Sequence, residues 1–131
     1  MAVVPILSDD AAGASALAVF DDIRAKRPTD YVNNFWRALA TDPALLSATW
    51  DRLQAVMAPG TLDPLTKELI YIAVSVANGC GYCIHSHTAA ARARGMTDAQ
   101  HGELMAVIAM ASQTNALATA LQVEPDDRFR V

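Results

Sequence analysis

Apolar residues recur every three or four positions along most of the chain, which is the spacing that places them on one face of an α-helix. No stretch alternates apolar and polar residues for long enough to predict a β-strand. The helical stripes are Leu17, Phe20 and Ile23; Tyr31, Phe35 and Leu39; Leu46, Trp50, Leu53 and Met57; Leu65, Leu69, Ile72 and Val76; and Leu104, Val107, Ile108 and Ala111. The pattern predicts an all-α, single-domain bundle of about six to seven helices.

Capping signals mark where several of these helices begin. Asp42-Pro43 and Asp63-Pro64 each combine an N-cap aspartate with a proline at the first helical position, where a missing N–H costs no hydrogen bond. Asp30 is the predicted N-cap of the second helix. Thr97-Asp98-Ala99-Gln100 has the pattern of a capping box and predicts a further helix start.

Glycine and proline mark where helices end. Pro59-Gly60 is expected to end the third helix, and Asn78-Gly79 predicts a turn after the fourth. A helix that begins near Cys80 is expected to end at Gly95, which adopts the left-handed conformation readily. A final segment, about residues 115–122, is predicted to be helical as well.

Length and composition favour one folded domain over residues 1–131 that associates with copies of itself. The chain is 53% hydrophobic and only 18% charged, which leaves few charges to cover its surface. We therefore expect a homo-oligomer, in which part of the apolar surface is covered by another copy. The net charge of −4, without a basic cluster, argues against binding to nucleic acid or to an anionic membrane.

The chain shows no membrane-spanning or targeting pattern. Its longest apolar runs, residues 69–74 and 104–111, are shorter than the roughly 20 residues that a spanning helix needs. The N-terminal region lacks the basic and apolar parts of a signal peptide, so we expect a cytoplasmic location. In such a compartment Cys80 and Cys83 are more typical of redox or metal chemistry than of a structural disulfide.

Glu68 is a charged residue on a helix that is apolar nearly all round. It lies on the flank of the stripe formed by residues 65–76, about 60° from its centre. A carboxylate in that position is costly unless it has partners, which makes Glu68 a candidate base. The alternative is a structural role, in which Glu68 reaches solvent or caps a neighbouring backbone.

Cys80, Cys83 and His87 form a Cys-x-x-Cys-x-x-x-His pattern at a predicted helix start. Free N–H groups and the helix dipole stabilise a thiolate there, and the field alone favours Cys80. His87 follows Cys83 by one turn and shares its face, where an imidazole can exchange the thiol proton. His85 points about 200° away from Cys83 and is a poor candidate for this site.

Two other interpretations of the cysteines compete with a redox role. The pair could be buried and inert, although its spacing at a helix start argues against this. Zinc could bind Cys80, Cys83 and His87, but a closed site needs a fourth ligand, and only the distant His101 remains. We therefore favour redox chemistry, with no bound metal or cofactor.

The fixed spacing Glu68, eleven residues, Cys80-Gly81-Tyr82-Cys83, three residues, His87 resembles the core motif of the AhpD-like alkylhydroperoxidases in the carboxymuconolactone decarboxylase superfamily. The residues before and after this motif agree, and the resemblance covers about residues 62–121. The decarboxylases proper in this superfamily generally lack the cysteine pair, so the resemblance does not imply their reaction.

The resemblance implies an all-helical trimer or hexamer that reduces hydroperoxides. By this resemblance, Cys83 attacks the peroxide, Cys80 resolves the product as a disulfide, and Glu68 and His87 relay the proton through water. The implied partners are a hydroperoxide and an external dithiol or protein reductant. A general thiol–disulfide oxidoreductase, and a non-redox oligomeric binding module with a vestigial site, stay open as alternatives.

Overall fold

A computed structural model describes residues 1–27 and 29–129, so Pro28, predicted as a helix stop, lies outside the described residues. Within the described residues the chain forms α-helices and one short 3-10 turn, with no β-strand. The helices are α1 Ala14–Lys26, α2 Asn34–Leu39, α3 Pro43–Met57, α4 Pro64–Ala77, α5 Gly81–Ala93 and α6 Asp98–Ala120, and the 3-10 turn is Asp127–Phe129. The predicted all-α class is confirmed.

The chain divides into two compact units, Met1–Ala58 and Pro59–Val131. The first unit holds α1 to α3 around an apolar core. The Trp36 and Trp50 rings meet edge to face in that core, with centroids 5.2 Å apart. Nε1 of Trp50 donates a hydrogen bond to Asp22 at 2.7 Å, which satisfies the polar atom of this buried ring.

The second helix differs from its prediction in both its start and its buried face. It begins at Asn34 with Asn33 at the N-cap position, so the predicted cap at Asp30 is wrong. Trp36 is its buried residue, whereas the predicted stripe residues Tyr31 and Phe35 are 62% and 42% exposed. A helix of six residues makes fewer than two turns, so its periodicity cannot select a face, and the large Trp36 ring takes the core position.

In the second unit α4 packs against both α5 and α6 and supplies the buried Ile72. Its start is as predicted, because Oδ1 of Asp63 accepts a hydrogen bond from Thr66 N at 3.0 Å and Pro64 is the first helical residue. The buried partners of Ile72 are Ala91 of α5 and Met96. This small core fixes the α4–α5 pair that carries the candidate site.

The predicted turns around α5 are also confirmed. Gly79 has a φ of 67° and Gly95 a φ of 94°, a backbone region that favours glycine. The capping box of α6 is complete, since Thr97 Oγ1 accepts from Gln100 N at 3.1 Å and the Gln100 side chain accepts from Thr97 N at 2.9 Å.

The last helix is longer and more exposed than predicted. The predicted final helical segment, about residues 115–122, is helical through residue 120 and is the end of α6, which runs unbroken from residue 98. Val107 and Ala111 were expected to face inward, yet Val107 is 65% exposed and Ala111 is exposed too. Only Leu104 and Met105 of α6 pack against the core of this unit. Because α6 is apolar on several sides, its sequence pattern does not identify the side that meets α4.

No helix in the described part of the chain is both long enough and apolar enough to cross a membrane.

Candidate active site

Helix α4 buries one carboxylate among its apolar residues. Glu68 is only 4% exposed and lies one turn before the buried Ile72. One turn further on, the buried Ser75 uses its hydroxyl to donate to the Tyr71 carbonyl at 2.7 Å. The polar groups on this buried face are thus hydrogen-bonded, as burial in a helical core requires.

Glu68 is paired with groups on α5 rather than directed to solvent. Its Oε2 lies 2.7 Å from Nδ1 of His87, a hydrogen-bond distance across the two helices. Its Oε1 lies 3.5 Å from Nε of Arg94, the C-cap residue that follows α5. The carboxylate therefore has one partner at each oxygen, which is the condition under which burial of such a group is tolerated.

The bond to Glu68 assigns different roles to the two nitrogens of His87. A carboxylate only accepts hydrogen bonds, so an ionised Glu68 accepts one from the Nδ1–H of His87. The Nε2 of the neutral ring is then an acceptor that can receive a proton from another group. This carboxylate–imidazole pair has the arrangement of a base and the group that orients it.

Tyr71 packs on the face of the His87 ring. The two ring centroids are 3.5 Å apart and the planes are inclined by only 18°, so the rings are stacked. Burial, followed by the negative charges of Cys83, Cys80 and Glu68, raises the pKa of the Tyr71 phenol above its usual value. Tyr71 is thus in contact with the imidazole and within electrostatic range of both sulfur atoms.

Sequence reasoning missed Tyr71 and Arg94. Tyr71 lies three residues after Glu68, and Arg94 lies seven residues after His87, which are spacings that return to the same helix face. Those spacings were a usable signal. Neither residue belongs to the Cys-x-x-Cys-x-x-x-His pattern, however, and an aromatic residue in an apolar run is most often part of a core.

Cys80 and Cys83 are both free, half-buried thiols at the start of α5. Cys80 is the N-cap residue, and its Sγ accepts a hydrogen bond from the backbone N–H of Cys83 at 3.3 Å. The Cys80 N–H in turn donates to the Ser75 carbonyl at 2.9 Å, which ties this cap to the end of α4. The two sulfurs are thus brought together at a helix N-terminus, as the spacing predicts.

The two thiols differ in acidity because they differ in environment. A hydrogen bond from the Cys83 thiol, together with the one from the Cys83 N–H, lowers the pKa of the Cys80 thiol. Burial, followed by the hydrogen bond and the negative charge at Cys80, raises the pKa of the Cys83 thiol to about 11. The Cys80 thiol is therefore the more acidic of the two.

The structure joins the four predicted site residues as two pairs. Glu68 bonds to His87, and Cys83 bonds to Cys80 through its N–H. His87 follows Cys83 by one turn of α5, so the two share a face, and Tyr71 lies close enough to interact with both pairs.

The other histidines lie apart from this arrangement. His85 is exposed on α5, and His101 belongs to the first turn of α6. Among residues 1–27 and 29–129, no group of three or more histidine, cysteine, aspartate or glutamate side chains has the arrangement of a metal site.

Residues 43–123 match the model of the carboxymuconolactone decarboxylase family. The chain belongs to this family. Within it the chain is AhpD-like, because the solved structure of an alkylhydroperoxidase AhpD core from Rhodospirillum rubrum matches it with a TM-score of 0.96 and 58% sequence identity. That match covers 100% of this chain and 98% of the other.

Curated relatives agree with this assignment. The alkyl hydroperoxide reductase AhpD of Solibacter usitatus is 35% identical over 91 residues, which cover 70% of this chain and 50% of the relative. The alkyl hydroperoxide reductase AhpD of Maricaulis maris is 40% identical over 85 residues, or 65% of this chain and 44% of the relative. The chain thus spans about half the length of the curated relatives that it matches.

Proposed function

We propose that this AhpD-like chain is a thiol-dependent peroxidase that reduces hydroperoxides through a dithiol–disulfide cycle of Cys80 and Cys83. The observation that carries the proposal is the buried Glu68–His87 pair, joined at 2.7 Å, beside two free thiols at a helix start. Peroxide reduction needs both a sulfur nucleophile and a group that moves its proton, and this site offers both. The names of the AhpD relatives support the same activity.

In the first step Cys83 is the attacking residue. Its raised pKa of about 11 means that the thiol needs a base, and Nε2 of His87 accepts the proton directly or through one water. The thiolate attacks the nearer peroxide oxygen, an S–O bond forms and the O–O bond breaks. The leaving alkoxide takes a proton from the His87 imidazolium and departs as an alcohol, or as water from hydrogen peroxide. Cys83 is oxidised to a sulfenic acid.

In the second step Cys80 resolves the sulfenic acid. Its lowered pKa raises the fraction of Cys80 thiolate, the form that attacks the Cys83 sulfur. The S–S bond forms, the S–O bond breaks and the hydroxide leaves as water after protonation. An external dithiol then reduces the disulfide. One of its thiolates attacks Cys83, which forms a mixed disulfide and releases Cys80 as a thiolate. The second thiolate of the donor attacks the donor sulfur of the mixed disulfide, which closes the donor disulfide and releases Cys83.

The second candidate function is a general thiol–disulfide oxidoreductase in which Cys80 attacks first. The acidity order of the two thiols favours it, since the more acidic sulfur has the larger fraction of thiolate. This candidate gives the Glu68–His87 pair no direct part in forming the nucleophile. The pair is nevertheless buried at a cost that a Cys80 mechanism does not explain, and for this reason we favour attack by Cys83.

Turnover with a defined dithiol tests the proposal. Dihydrolipoamide and an organic hydroperoxide are mixed with the full chain, and the loss of both reactants is followed. We expect one dithiol oxidised per peroxide consumed, and no turnover by Cys80→Ser/Cys83→Ser. Reduction of a small disulfide without peroxide turnover would favour the second candidate. Free thiols that remain unchanged after mild oxidant would instead support a non-redox binding module.

We further propose that the chain acts as a homo-oligomer, a trimer or a hexamer. Large apolar side chains lie exposed along α6 of the single chain, among them Val107, Met110 and Leu117. Burial of such a row against a second copy removes apolar surface from water. The location follows from the same chemistry. The dithiol form of Cys80 and Cys83 must be regenerated in each cycle, which needs a reducing compartment, so we propose the cytoplasm.

A further inference from the structure

Two contacts from the same helix hold the His87 imidazole of α5. Glu68 of α4 bonds to one ring atom, Nδ1, at 2.7 Å. Tyr71, three residues later on α4, covers the ring face with a centroid separation of 3.5 Å and an angle of 18°. The ring is therefore held at one atom and across one face.

These two contacts constrain different motions of the imidazole. A hydrogen bond at Nδ1 fixes the position of that atom but leaves the ring free to swing about it. Stacking on Tyr71 fixes the plane of the imidazole but leaves the imidazole free to rotate within that plane. Only both together fix where Nε2 points, and Nε2 is the atom that receives the Cys83 proton in the proposed mechanism.

We propose that Tyr71 is a positioning residue that holds the plane of the His87 ring, so that Nε2 stays aligned for proton exchange with Cys83. The inference rests on the proposed function. It assigns no proton transfer to Tyr71 itself, and the aromatic face is the part of the side chain that acts.

The phenol hydroxyl has no charge to contribute to this role. Burial and the nearby negative charges of Cys83, Cys80 and Glu68 raise the pKa of Tyr71, so the phenol stays neutral while the thiols react. Phenylalanine keeps the ring face and removes only the hydroxyl. Tyr71→Phe should therefore keep the His87 ring aligned. Tyr71→Leu, which keeps an apolar side chain without a ring, should lose that alignment.

An aromatic face also suits the intermediate of the reaction. When His87 accepts the Cys83 proton, it becomes an imidazolium between the Glu68 carboxylate and the Tyr71 ring. A cation over an aromatic face is stabilised by the ring quadrupole. Alignment and stabilisation act in the same direction, toward faster proton removal from Cys83.

The test compares Tyr71→Phe and Tyr71→Leu in two backgrounds that isolate each sulfur. In Cys80→Ser the alkylation rate at neutral pH reports on Cys83, and serine preserves a capping oxygen at the helix start. In Cys83→Ser it reports on Cys80, which needs no relay. Ile70→Ala, at a half-exposed position one residue earlier on α4, is the matched control for a change in the helix.

We expect Tyr71→Leu to slow alkylation of Cys83 by about three- to tenfold, the range that the loss of one aromatic contact predicts. The Cys83 alkylation rates of Tyr71→Phe and Ile70→Ala should stay within about twofold of the parent, and no variant should slow the alkylation of Cys80. Nitrogen-15 spectra of the imidazole give a second readout. Because every variant keeps the Glu68 bond, the proton should stay on Nδ1 throughout. The parent and Tyr71→Phe should give narrow imidazole signals, whereas Tyr71→Leu should give signals broadened by motion of the ring.

An unchanged Cys83 rate, or imidazole signals as narrow in Tyr71→Leu as in the parent, would overturn the proposal. Equal slowing of Cys80 and Cys83 would also overturn it, because that result indicates a general change in the fold. The imidazole spectra do not depend on peroxide turnover. A wild-type chain without peroxidase activity but with the expected spectra would thus refute the proposed function and leave the positioning role of Tyr71 in place.

Discussion

Nδ1 of His87 lies 2.7 Å from Oε2 of Glu68, although the two residues are 19 positions apart and belong to different helices. The carboxylate is buried, and the imidazole is largely so. A buried acid joined to an imidazole is the arrangement that orients a histidine for proton transfer. The bond connects α4, which carries no sulfur, to the helix that carries both cysteines.

Replacing the acid should weaken the relay and preserve the fold. Glu68→Gln keeps the shape and a hydrogen bond to His87 but removes the charge that stabilises the imidazolium. We expect alkylation and peroxide oxidation of Cys83 to slow by about ten- to a hundredfold, the range for a hydrogen bond to a charged group. Circular dichroism checks the fold. If the pH dependence of Cys83 alkylation is the same as in the wild type, Glu68 is not coupled to the cysteines.

Arg94 should stabilise the chain through Glu68. Arg94→Met keeps much of the stem but removes the charge 3.5 Å from the buried carboxylate. We expect a loss of about 1 kcal/mol in the free energy of unfolding, measured with urea at neutral pH, because Arg94 is partly exposed. Arg92→Met, which breaks an exposed pair with Asp98, is the control and should cost about 0.5 kcal/mol or less.

The free energy of unfolding of a double variant measures the coupling between Glu68 and Arg94. Glu68→Gln/Arg94→Met should be no less stable than Glu68→Gln alone, since the charge that Arg94 serves is already gone. Additive losses from the two single changes would show that Arg94 acts independently of Glu68.

The two thiols should titrate in separate steps. The lowered pKa of Cys80 and the raised pKa of Cys83, about 11, predict that thiolate absorbance rises first from Cys80 and again only in strong alkali. Removing Cys80 deletes the negative charge and the sulfur acceptor next to Cys83. The midpoint of Cys83 should therefore fall in Cys80→Ser. The midpoint of Cys80 should rise in Cys83→Ala, which removes the side-chain donor without offering a hydroxyl in its place. Shifts of the two midpoints in the opposite directions would contradict this account of the two pKa values.

The identity of the first sulfur to react with peroxide can be determined by trapping. In Cys80→Ser, peroxide should drive Cys83 to a sulfenic acid that cannot close a disulfide within the chain. In Cys83→Ser, Cys80 should react readily with an alkylating agent but slowly with peroxide, because the relay serves Cys83. Dimedone labelling and peptide mass spectrometry measure both. Faster peroxide-dependent labelling of Cys80 would reverse the roles and support the oxidoreductase candidate.

Association should be visible in the mass of the native particle. Light scattering coupled to size exclusion is expected to give three or six times the 14.0 kDa of one chain. Val107→Glu places a charge in the exposed apolar row of α6 and should shift the mass toward a single chain. A wild-type mass near 14.0 kDa would refute the oligomer.

Local signals predicted most helix boundaries correctly. The caps at Asp42 and Asp63 and the capping box at Thr97 depend on residues within one turn, so sequence alone contains the interaction. The prediction for α2 was wrong for the opposite reason. Which side of it is buried depends on the Trp50 ring of another helix, against which Trp36 packs, and the local pattern carries no information on that contact.

The same distinction applies to the candidate site. The sequence by itself determined an all-helical chain, a cysteine pair at a helix start with His87 one turn beyond, and a carboxylate in an apolar helix, because each follows from spacing along one helix. Tertiary structure alone decided that Glu68 reaches His87 and Arg94, that Tyr71 covers the imidazole, and that burial raises the pKa of Cys83. Those outcomes depend on how closely α4 and α5 pack and on how much water each group loses, and both are properties of the packed helices together.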